Sequence, residues 1–199
     1  MGIGYAEIIS TLGLIIQAWG AWGHDRKPKL EKIAKELVTN PKIAEMLEKD
    51  NNFKNYFFSI FEKILKDHRE EKMQYWKHCI INLAINFNNF DLKDNFLKIL
   101  DDLTYFDLSV LNYIYYKYND KQTEYDRIIK NIVQHFVDDG FGSDLIKLSL
   151  AHLSANRLIE SVDSRYNKDL GALEYSFPDC LKNEFGNKFI EFIIIEYKS

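Results

Sequence analysis

Cysteine is nearly missing from this 199-residue chain, which holds only Cys79 and Cys180. Two thiols with no CxxC spacing build no disulfide framework, and they suit a reducing cytoplasm. Proline and glycine are scarce as well, at 3 and 9 residues. A turn-rich β-fold draws on both, so their shortage favours long helices. Neither charge dominates: 26 Lys and Arg stand against 30 Asp and Glu, a net of −4. Residues 24–72 carry 12 cations against 10 anions, and residues 143–199 carry 7 against 9. Neither stretch has the basic surplus that counterion release from a phosphate backbone demands, which disfavours nucleic acid as the main partner. Internal repeats and low-complexity tracts are missing too.

What is present reads as helix. Hydrophobic residues make up 46% and charged residues 28%, the balance of a folded protein with a core to bury. Asn40 and Pro41 mark a helix start, because proline at the first helical position forfeits an N–H that would have no partner anyway. Phe53, Tyr56, Phe57, Ile60, Phe61, Ile64 and Leu65 then form one apolar stripe on a 3.6-residue period, and Met73, Trp76, Ile80, Leu83 and Phe87 form a second. "DHREEK" (67–72) between them reads as a polar connection or a solvated helical turn. A helix from about Leu92 to Leu103 follows. Thr104 with Asp107 predicts a box-like cap for a helix carrying Leu108, Leu111, Tyr115 and Tyr118. Thr123 caps the next, whose face runs from Tyr125 to Val137. Gly140 suits a left-handed stop there, and Ser143 is read as the following cap.

The C-terminal third changes character. A helix over 144–155 ends at Asn156, a residue type that tolerates positive φ. "LIESVDS", a polar tip "RYNKDLG" and "ALEYSF" then read as a hairpin, and Asn183 opens a closing helix. The expected fold is therefore mainly α: a helical domain followed by a C-terminal winged-helix-like unit with a small β-hairpin. The organisation read here is an apolar N-terminal helix at 1–23, a helical domain at 24–103 and the winged-helix-like domain at 104–199.

Four segments, "EEKMQYWKHCIINLAI" (70–85), "FLKILDDLTYFDLSVLNYI" (96–114), "LAHLSANRLIES" (150–161) and "NEFGNKFIEFI" (183–193), carry a resemblance. They resemble a widespread group of poorly characterised bacterial proteins over roughly residues 40–195, with Asn156 where that group has a glycine-like turn and Asn183 where it has threonine. The resemblance implies a helical domain plus winged helix without an assigned activity, and some relatives near mobile-element or phage-defence genes.

Local motifs for chemistry are weak. His24, His68, His78, His135 and His152 show no i, i+4 pair that would place two imidazoles on one face for zinc. "REEK" (69–72) lies between strong helices rather than on the strand a nuclease site uses. "GIGYAE" lacks the third glycine and the preceding strand of a dinucleotide fingerprint. "DDGFG" is explained as a helix–helix turn. No Ser-His-Asp or Cys-His motif stands out, so the expectation is no enzyme, no cofactor and no metal.

Two surfaces remain for partners. In the winged-helix-like unit, Lys147, His152, Arg157, Arg165 and Lys168 could touch DNA or a protein. Asp144, Glu160, Asp163 and Asp169 interleave with them, which favours a protein. At the N-terminus, 21 residues from Ile3 to Gly23 carry one charge, Glu7. Trp19 and Trp22 followed by Arg26, Lys27 and Lys29 resemble an interfacial belt with a positive flank, and no basic leader marks a signal peptide. On a helical wheel, however, Ile8, Leu12, Ile15, Trp19 and Trp22 make a broad stripe, while Ser10, Gly13, Gln17 and Gly20 make a narrow one. Such a helix buries its bulky side in the domain and offers its small side to a copy.

The expectation is a cytoplasmic, homo-oligomeric, non-enzymatic interaction or regulatory module. It self-associates through the N-terminal helix and docks a protein through the winged-helix-like unit. The alternatives are a membrane-inserting phage-defence effector using residues 3–23 and a winged-helix DNA-binding regulator.

Overall fold

Polar side chains start several of the helices. In the computed structural model, which describes residues 10–14, 17, 27–67, 69–86, 92–117, 125–160, 163–167, 172–176 and 181–194, Asn40 Oδ1 accepts from the backbone N–H of Lys42 and of Ile43 at 3.0 and 3.3 Å. Asp50 does the same for Asn52 and Phe53 at 2.8 and 3.0 Å, a cap not foreseen from the pattern. Each satisfies donors that a helix start leaves open. The chain divides into two units, residues 1–93 with 192–199, and residues 94–191.

In the first unit, helices α1 (Lys27–Val38), α2 (Pro41–Lys49), α3 (Asn51–Lys66) and α4 (Glu70–Asn86) pack together. The aromatic stripe of α3 lies inside: Phe53, Phe57 and Phe61 are buried. The Phe57 and Phe61 rings stack at 6.2 Å. Trp76 and Ile80 of α4 are buried as well. Asn82 donates through Nδ2 to the carbonyls of Phe192 and Ile194 at 2.9 and 3.2 Å, satisfying acceptors that a helix end leaves open.

The "DHREEK" segment is not a purely solvated turn. Lys72 is 2% exposed, with Nζ 4.0 Å from Asp67 Oδ2 and 6.0 Å from the centroid of the Trp76 ring. Its methylenes lie in the core while its charge meets a carboxylate and an aromatic face.

The second unit holds α5 (Lys93–Asp102), α6 (Tyr105–Asn112), a π-helical turn (Tyr113–Lys117), α7 (Tyr125–Asp138), α8 (Ser143–Ala155), strands β1 (Asp163–Asn167) and β2 (Ala172–Ser176), and most of α9 (Glu184–Ile193). The strands pair antiparallel, with Arg165 opposite Glu174. Phe96 of α5 meets Phe185 and Phe189 of α9 edge-on at 5.3 and 5.6 Å.

Both turns around α8 follow one design. After α7, the Phe141 N–H bonds to the Phe136 carbonyl and the Gly140 N–H to Val137, with Gly140 at φ +91°. After α8, the Leu158 N–H bonds to Leu153 and the Arg157 N–H to Ser154. Each is a Schellman stop with an apolar pair across it. The second turn corrects the reading of Asn156: that residue sits at φ −82°, and Arg157 takes the left-handed position at φ +59°. The Schellman geometry demands positive φ one residue after the cap, and Asn156 is the cap. Ser143 is likewise not a cap. Gly142 occupies that place, without a side-chain bond. The stripe expected to run on through Tyr115 as ordinary α-helix instead passes into the π turn.

Candidate functional site

The N-terminal turn of α6 and the outer face of α8 enclose a groove of about 350 Å³, lined by Thr104, Phe106, Asp107, Leu145, Leu148, Ser149 and His152. Its polar centre grows out of the capping box. Thr104 donates to Asp107 Oδ2 from its backbone N–H at 2.8 Å and its hydroxyl at 2.7 Å, and the Asp107 N–H returns to the Thr104 hydroxyl at 3.1 Å. His152 reaches the same oxygen with Nδ1 at 3.0 Å. Burial pushes the Asp107 carboxyl up, but the Thr104 and Ser149 hydroxyls, the Thr104 N–H and the His152 ring outweigh it and hold the acid below the ordinary aspartate value. An ionised carboxylate only accepts, so Nδ1 carries the proton.

An acid bonded to a histidine is the orienting half of a triad. No hydroxyl or thiol is hydrogen-bonded to His152 Nε2 among the described residues. Ser149 is 2% exposed, and its hydroxyl stands beside Asp107 without completing a hydrogen bond. The Asp107–His152 contact ties α6 to α8. No group of three His, Cys, Asp or Glu able to hold a metal occurs among the described residues.

The apolar part of the groove is inverted relative to a normal amphipathic helix. Leu145 is 45% exposed and Leu148 is 67% exposed, whereas Ser149 points inward. Phe141, 41% exposed, continues the patch through its ring contact with Phe106 at 4.7 Å.

Of the residues singled out from sequence, Lys147 and His152 lie on α8 and Arg157 just after it. Lys147 Nζ is 3.6 Å from Asp144 Oδ1, so a neighbour already offsets its charge. Arg157 is exposed. Arg165 sits in β1 with its side chain outside the described residues, as does all of Lys168.

At the N-terminus, residues 10–14 and 17 are helical, with Ser10, Gly13 and Gln17 exposed. Leu12 is buried at 2%, and a Cβ placed on Gly13 would meet nothing within 4 Å. Trp19, Gly20 and Trp22 fall outside the described residues. Among those described, no helix is long and apolar enough to cross a membrane.

Leu145, Leu148 and Ser149 escaped the sequence reading. The signal was available: "SDLIKLSLAHLSA" spreads leucine and isoleucine over more than half of the helical wheel, wider than one buried face absorbs. Comparison with known proteins finds no matching family model, no matching curated protein and no matching solved structure.

Proposed function

We propose that this chain is a non-enzymatic interaction module that docks a protein through the outer face of α8 and self-associates through its N-terminal helix. The observation that carries the reading is the exposure of Leu145 and Leu148 on α8. The order helix, tight turn, helix, left-handed turn, hairpin and closing helix supports a winged-helix-like unit, and α8 stands where such a unit presents its reading helix. A helix that reads DNA shows cations and amides to phosphates and base edges. This one shows two leucines and a lysine with Asp144 beside it. Desolvating exposed leucine is favourable against protein and useless against phosphate.

A photo-crosslinking side chain at position 148, in the full-length protein in its native cells, tests the docking face. A discrete protein adduct from position 148, and none from the exposed Lys130, is the expected result. Loss of any adduct, together with salt-steep binding to duplex DNA, would transfer the unit to the nucleic-acid class. The N-terminal contact is tested by Gly13→Leu, which the open space at Gly13 admits without harm to the fold. Its native mass in solution should drop.

A further inference from the structure

The α8 residues that line the groove, Leu145, Leu148, Ser149 and His152, stand at i, i+3, i+4 and i+7. Residues at that spacing share one side of the helix. Leu148 protrudes there, 67% exposed.

The ends of α8 carry opposite charges. Asp144, with its side chain 97% exposed, stands at the N-terminal end. Arg157, exposed and without a carboxylate partner among the described residues, follows the C-terminal end. Between them Ala151 and Ala155 are exposed and small, so another backbone can approach. Under a twofold axis across α8, Asp144 of one copy comes to Arg157 of the other, and Leu148 lies against the small Ala151 and Ala155 of its twin. Antiparallel helix dipoles add to the match. A surface that complements itself on rotation is the requirement for an isologous contact.

We infer that the protein docked on α8 is a second copy of this chain, paired antiparallel helix to helix. This rests on the docking reading above and names its partner. Phe141 and Phe106 extend the contact beyond the helix toward the area a stable pair requires.

The test uses the full-length chain with Cys180→Ser. Pairing Asp144 with Arg157 places the axis next to Ala151, so Ala151→Cys meets its own twin and should oxidise rapidly to a disulfide dimer at micromolar concentration, while Lys130→Cys should not. Leu148→Asp in the Ala151→Cys background should abolish the disulfide-linked dimer. The twofold counts each substitution twice, so the dissociation constant should rise about 100-fold. Asp144→Arg should weaken pairing, and Asp144→Arg with Arg157→Asp should restore it. Leu148 is exposed, so far-UV circular dichroism should be unchanged. An Ala151→Cys chain that forms no disulfide dimer, or a disulfide dimer indifferent to Leu148→Asp, overturns the inference. If position 148 then crosslinks to a different protein, the docking reading stands and only the second copy falls. If it captures nothing, both fall.

Discussion

The Tyr115 hydroxyl donates to the Leu158 carbonyl at 2.7 Å and accepts from the Asn183 N–H at 3.2 Å, locking the π turn to the entrance of the closing helix. Gly186, whose N–H bonds to Asn183 Oδ1 at 2.7 Å, lies directly beneath. A Cβ there would collide with both the Tyr115 hydroxyl and the Leu158 carbonyl. Tyr115→Phe should cost about 1–3 kcal/mol in urea unfolding. Gly186→Ala should cost about 2–3 kcal/mol through overpacking. The double variant should be less destabilised than the sum, since removing the hydroxyl relieves one of the two clashes. Strict additivity would mean the contact is not shared.

The capping box and His152 share one carboxylate oxygen, so their effects should not be independent. Thr104→Ala should destabilise by about 1–2 kcal/mol. Asp107→Ala should cost about 3 kcal/mol, because it strands several donors at once. His152→Ala should matter much less once Asp107 is gone. A double-mutant cycle at pH 7 reads this coupling directly.

Among the described residues, two partly buried groups contribute to the acid side of the stability profile. His78 is partly buried, and that burial, aided by Lys77 and opposed by the Ile193 carbonyl, depresses its pKa. The unfolded chain therefore takes up this proton first, and stability should fall as pH drops below about 6.5. Asp107 is depressed in the folded state, so its contribution persists above about 3.9 and disappears as pH falls further. His78→Gln should flatten the first decline and leave the second. A decline near 6.5 that survives His78→Gln would count against the assignment.

Arg157 holds the left-handed turn at φ +59°, a conformation costing a residue with a Cβ about 1–2 kcal/mol. Arg157→Gly removes that cost and returns part of it as unfolded-state entropy. The melting temperature should rise, by about 0.5–1 kcal/mol in stability. A loss instead would show that the guanidinium contributes more than the turn.

Stripes and two of the caps were legible from the residues alone, whereas the Asp50 cap was not and Ser143 proved to lie inside its helix. The heptad-like run from Phe53 to Leu65, the Asn40 cap and the Thr104–Asp107 box all appear where local chemistry places them. The tertiary contacts were not. Lys72 reads as a solvated charge until Trp76 and Asp67 surround it. Asn156 has the better intrinsic tolerance for positive φ, yet the hydrogen-bond count of the Schellman turn assigns that task to Arg157. The groove was hidden for a related reason. His152 is 45 positions from Asp107, and no periodicity in α8 announces which of its leucines the fold will leave outside.

The inversion on α8, serine inward and leucine outward, also matters to a newly made subunit. Under the pairing proposed above, a lone molecule displays greasy residues to the crowded cell, where chaperones and proteases screen for that sign. Abundance should therefore track assembly: surplus molecules are cleared, and those already mated are spared.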